Sequence, residues 1–185
     1  MAVTIDGTTG VSLVQDGVVT AADLSSTLDL SGKTVTLPAG VGGKVLQVHQ
    51  FSYSPASTFS TNSGDFTEVT GASTTFTPTQ SGGFLIIQAV VPCEGYASGT
   101  DVHSYTALFD SSTILQSRGF QGDNLGKLGD LIWLPIVGVH NYKLTHGSTS
   151  PRTFNIRLAN ASTSRQTRVR AGEDTITITV WEIAG

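Results

Sequence analysis

At 185 residues the chain can form one domain with a sizeable core, or a small domain plus an appendage, but not two large domains. Only 13% of residues are charged while Ser and Thr fill 46 positions, and Glu, Lys and Arg are too scarce to give long amphipathic helices a polar face, so the composition predicts an all-β fold. The net charge of −4 argues against a partner bound through nucleic-acid phosphates.

Residues 1–43 carry small apolar clusters (Val3, Ile5; Val11, Leu13, Val14; Val18, Val19) separated by the turn signals Asp6-Gly7 and Asp16-Gly17. Such clusters are too small to form a core alone. Thr20-Ala21-Ala22-Asp23 approximates a capping box, and Leu24 and Leu28 follow one turn apart, predicting a short helix over Thr20 to Leu28. Thr34 to Pro38 reads as a brief strand closed by proline, and Ala39-Gly40-Val41-Gly42-Gly43 as a hinge. Met1 to Asp6 has neither the basic residues nor the apolar run of a secretion signal, and no apolar stretch reaches membrane-spanning length. The expectation is a product made soluble in a cytoplasm, without membrane insertion.

From Lys44 onward strand-like runs recur between turn signals: Val45 to Ser52, Phe66 to Val69, Thr74 to Pro78, Phe84 to Val91, His103 to Asp110, Thr113 to Phe120, Leu131 to Val139, Asn141 to His146, Thr153 to Leu158 and Thr175 to Ile183. This spacing predicts a sandwich or barrel over residues 44–185. In the last run Ile176, Ile178 and Val180 alternate with threonines and face the core, which puts Trp181 and Ile183 on the threonine side. Phe84 to Ile87 and Leu131 to Val137 are apolar on both faces. In an antiparallel sandwich one of those faces needs a cover other than solvent, and a subunit interface supplies it.

The stretch from Gly17-Val18-Val19-Thr20-Ala21-Ala22-Asp23-Leu24 through Leu30-Ser31-Gly32-Lys33-Thr34-Val35-Thr36-Leu37-Pro38 to Gly43-Lys44-Val45-Leu46-Gln47-Val48 resembles the junction of tailed-phage fibre and appendage proteins, notably those of phages of cyanobacteria and other aquatic bacteria. Thr177 to Ile183 resembles the closing strand of the same group, and the strand spacing around Phe84 to Ile87 is similar to a C1q/TNF-type jelly roll. The resemblance implies an antiparallel jelly-roll sandwich preceded by a short extended or helical attachment segment at 1–43, with Val3, Ile5, Val11, Leu13, Leu24 and Leu28 as its apolar contacts. It further implies a homotrimer located in the virion, made in the bacterial host cytoplasm, whose partners are tail, baseplate or major capsid proteins. Its work is then attachment to a host-surface glycan or protein. The alternative is a capsid decoration protein that reinforces the shell; the lack of a long repetitive shaft favours either a stubby appendage or such a decoration protein. A polysaccharide-degrading enzyme is a third reading, against which stands the absence of a long solenoid repeat.

No local signature of a catalytic nucleophile or of a carboxylate pair occurs, so the expectation is a non-enzymatic protein without cofactor. His49, His103, His140 and His146 show no metal-ligand spacing, and no metal is expected. Cys93 follows Pro92 at the end of an apolar run and reads as a buried small hydrophobe. Arg168 and Arg170 share a strand face, a solvated or edge-protecting pattern, with Glu173 and Asp174 as neutralising partners; an anionic-glycan or intersubunit contact is the other reading. Two loops mix an aromatic with polar groups as sugar-binding surfaces do, giving Tyr96, Arg118, Phe120, Asp123 and Asn124 as receptor-binding candidates. Asn160-Ala161-Ser162 fits the glycosylation triplet.

Overall fold

A computed structural model describes residues 44–97, 101–123, 132–161 and 165–185. The expected attachment segment at 1–43, with Val3, Ile5, Val11, Leu13, Leu24 and Leu28, lies outside the described residues, as does Asn124. The rest is all-β: two antiparallel sheets face each other as a sandwich. The strands are β1 (Val45–Tyr53), β2 (Phe59–Thr61), β3 (Thr67–Phe76), β4 (Phe84–Ala97), β5 (Asp101–Asp110), β6 (Thr113–Asp123), β7 (Ile132–Thr145), β8 (Arg152–Asn160), β9 (Thr167–Val169) and β10 (Ile176–Ile183).

One sheet runs β1-β10-β4-β9-β2, with β7 paired to β4 as well; the other runs β3-β8-β5-β6. β4 can serve two neighbours on one side because it is long. Its Phe84 to Ala97 ladder pairs with β7 along its whole length, and Glu94 and Gly95 also pair with Arg168 and Thr167 of β9.

The core follows from period-2 alternation. Inward residues Leu85, Ile87, Ala89 and Val91 of β4 and Ile176, Ile178 and Val180 of β10 meet Val69, Ala72 and Phe76 of β3, Leu108 of β5 and Phe154, Ile156 and Leu158 of β8. This matches the faces expected for β10. After Val180 the next inward position is Glu182, which is buried as a carboxylate. Burial alone raises its pKa, but the Thr79 amide, the Gln47 side-chain amide, the Thr79 hydroxyl and the Gln80 amide donate to it and together hold it below the usual carboxylate range. Glu182 therefore closes the loop before β4 onto the last strand.

Several boundaries differ from expectation. The two runs Leu131 to Val139 and Asn141 to His146 are one 14-residue strand, β7, because every residue from Ile132 to Thr145 finds a partner on the equally long β4. Phe66 to Val69 and Thr74 to Pro78 merge into β3, whose register shifts between Glu68 and Ser73. Gly71 sits in that irregularity at φ +90°, and a Cβ there would fall 2.6 Å from the Tyr53 ring. The three-residue strands β2 and β9 are too short to carry a periodic signal and exist by pairing with each other and, for β9, with β4.

Candidate functional site

The six-stranded sheet turns its second face away from the core, and the ladder registers fix what lies on it. Val48, Trp181, Ile86 and Lys143 form one cross-strand row over β1, β10, β4 and β7. Gln50, Thr179, Gln88 and Asn141 form the next, where Gln88 Nε2 donates to Asn141 Oδ1 at 3.0 Å. Val90 with Val139 and Pro92 with Val137 follow. Val48 (55% exposed), Val137 (53%), Val139 (42%) and Ile86 (38%) are thus open apolar side chains on a largely uncharged sheet face. Lys143 lies on this face with its Nζ 4.0 Å over the Phe84 ring. The two-sided apolar pattern of Phe84 to Ile87 is explained: Leu85 and Ile87 fill the core, and Ile86 faces outward.

At one end the same face becomes charged and aromatic. Arg168, in register with Glu94, reaches the Glu94 carboxylate with Nη2 at 2.6 Å and Nε at 2.7 Å. Arg170 Nε lies 3.3 Å from Glu94 Oε1, and its guanidinium also pairs with Glu173 and with Asp174, the latter at 3.5 Å. The Arg170 amide donates to Asp174 Oδ2 at 2.7 Å, tying the turn after β9. Arg168 stacks 3.5 Å over the Trp133 ring, and Trp133 packs against Tyr96, its partner across the ladder, at 4.9 Å between centroids.

Glu173 and Asp174 are partners of Arg170, as expected, but the carboxylate shared by both arginines is Glu94, which sequence reasoning missed. Its only signal was position: it falls on the outward side of β4 by alternation, 74 residues from Arg168. The guanidinium groups of Arg168 and Arg170 are occupied by intrachain carboxylates. This disfavours the anionic-glycan reading, because an incoming anion would first have to displace them.

The candidate receptor residues do not gather in one place. Tyr96 is not in a loop: it lies in β4, half-buried against Trp133, with its amide donating to Gln166 O at 2.8 Å. Gln116 to Asp123 likewise form β6, because each residue finds a partner on β5. Arg118 is in register with Thr106 and Phe120 with Ser104; Arg118 is exposed and Phe120 half-buried. Asp123 pairs through its backbone with Asp101 at the end of the same ladder. Tyr96 therefore belongs to one sheet, and Arg118, Phe120 and Asp123 to the other.

Other sequence-level candidates resolve into structural roles. Cys93 is buried, and burial first, then Asp174 and Glu94, pushes its thiol up to about 12. Asn160 is fully buried and its side-chain amide donates to Thr167 Oγ1 at 3.2 Å, so the Asn160 side chain is closed to a glycosylating enzyme in the folded chain. Among the described residues no group of three or more His, Cys, Asp or Glu side chains could hold a metal ion, and no helix is long and apolar enough to cross a membrane.

No protein-family model and no curated protein matches the chain. Solved structures similar to it include dimeric latent PorU from Porphyromonas gingivalis, at 11% identity over 78% of this chain and 14% of that one, with a TM-score of 0.42. The infectious bursal disease virus VP2 subviral particle is similar at 12% identity over 88% of this chain and 46% of that one, with a TM-score of 0.28. The chain spans less than half the length of either.

Proposed function

We propose that this chain is a non-enzymatic structural protein of a bacteriophage virion, a short tail appendage whose jelly-roll heads associate as a homotrimer and bind the host surface. The observation that carries self-association is the outward face of the six-stranded sheet. Val48, Ile86, Val137 and Val139 lie open there although the core between the sheets is already complete, and Lys143 is the charge beside them. Copies of one chain meeting over such a face bury apolar area.

The strand order supports the jelly-roll reading. β1-β10-β4-β7 opposite β3-β8-β5-β6 is the order that two interleaved Greek keys produce. The virion assignment rests on the resemblance of Gly17 to Val48 and Thr177 to Ile183 to phage appendage proteins. With three heads per assembly and several assemblies per particle, weak individual contacts sum to firm attachment without a deep pocket.

Light scattering on the full chain at micromolar concentration tests self-association. A mass three times that of one chain is expected, and a stable single-chain species overturns it. Labelling of the chain on intact particles tests its place: density at the tail is expected, and density spread over the head replaces the appendage with a capsid decoration protein.

A further inference from the structure

We propose that His140 makes the β6–β7 side of the sandwich an acid-released seam: when its imidazole takes up a proton, β7 loses its hold on β5 and the edge opens there.

Both sheets end at this seam, the six-stranded one at β7 and the four-stranded one at β6. Among the described residues, two polar contacts cross it. His140 Nε2 lies 2.9 Å from Thr106 Oγ1 of β5, and the Asn141 amide donates to Gln116 Oε1 of β6 at 3.0 Å. His140 is fully buried, and its Nδ1 has no hydrogen-bond partner among the described residues. Gly138, two residues earlier on the same face, lies so close to Thr106 that a Cβ would fall 2.2 Å from its Oγ1, so β7 and β5 pack directly against each other beside the ring.

The surroundings accept a neutral ring and reject a charged one. On the inward faces His140 has Ala89 across on β4, Thr106 of β5, Arg118 of β6 in register with Thr106, and Gly138 and Tyr142 beside it on β7; Cys93 lies further along β4. None of these is a carboxylate, and Arg118 is the charged group acting on the ring. A protonated imidazole must donate from both nitrogens, so Nδ1–H would be buried without an acceptor and close to a guanidinium.

Burial, and then Arg118, lower the folded-state pKa to about 4 from the ordinary imidazole value of 6.5. The unfolded or opened chain therefore binds the proton first, and closure of the seam weakens as pH falls from about 6.5 to about 4. β7 also presents Val137 and Val139 outward, so release would loosen the contact between copies. That last consequence rests on the self-association reading; the seam itself does not.

Amide hydrogen exchange of residues 136–142, corrected for the intrinsic pH dependence of exchange, tests the seam on the full chain and on His140→Gln. The expected result is a loss of β7 protection of ~tenfold or more between pH 6.5 and 4.5 in the unmodified chain, with β1 and β10 unchanged, and no such step in H140Q. Equal losses in both chains, or none in the unmodified one, overturn the seam. Should H140Q not fold, NMR titration of the His140 imidazole in the unmodified chain decides: a midpoint below 5 supports the seam, and one near 6.5 overturns it. Seam opening without any change in light-scattering mass overturns only its link to assembly.

Discussion

Glu94 and Arg168 stand in register across β4 and β9, and their side chains close to 2.6 Å with the carboxylate nearly buried. Arg170 shares the same carboxylate, and Trp133 lies under Arg168, so β4, β7, β9 and the turn after β9 meet around one acid.

Replacing Glu94 with Gln leaves two guanidinium groups facing a neutral amide. Breaking a buried pair by removing one partner costs roughly 3–5 kcal/mol, and the partial exposure of both arginines discounts this to about 2 kcal/mol. Urea unfolding of E94Q should show that loss at low salt and a smaller difference from the parent at high salt, because the parent's pair is partly screened. A stability within about 0.5 kcal/mol of the parent would show the network to be dispensable.

Glu182 sets part of the acid limit of the fold. Its folded pKa is depressed, so its stabilising contribution is complete above the unfolded-state value of 4.5 and is lost as pH falls through the lower folded value. E182Q should be less stable than the parent at pH 7, by about 1–3 kcal/mol, and the difference should shrink as pH falls below about 4.5. Thermal unfolding measured from pH 7 to 3 reads both. This window begins at about 4.5, near the lower end of that of His140, so stability lost between pH 6.5 and 4.5 reports His140 and not Glu182.

Cys93 should be inert in the native chain. It is 2% exposed and its thiol is held at about 12, so the thiolate that reacts with disulfide reagents is scarce and shielded. A chromogenic disulfide should label one thiol per chain in denaturant and none within the same minutes under native conditions. Rapid native labelling would show that the end of β4 opens readily.

Val137 and Val139 are the most direct handles on self-association. A charge at either position points into solvent in the single chain, so V137E should fold with stability within about 0.5 kcal/mol of the parent. If the outward face joins copies, the same charge is buried without a partner, and the apparent association should weaken at least ~tenfold by light scattering across a dilution series. An unchanged mass would mean that copies meet elsewhere.

The strand content, the inward row Ile176, Ile178 and Val180, and the two-sided character of Phe84 to Ile87 were determined by the sequence itself, because alternation and composition are local properties. Burial of Cys93 and the shared face of Arg168 and Arg170 were legible for the same reason. Pairing was not. β7 is one strand and not two because β4 offers 14 partners, and β9 exists because Glu94 and Gly95 lie beside it. Only the tertiary structure joined Glu94 to Arg168, Glu182 to Thr79 and His140 to Thr106, and only it separated Tyr96 from Arg118 and Phe120. Those relationships span many residues of chain and depend on ladder register, which a one-dimensional pattern does not contain.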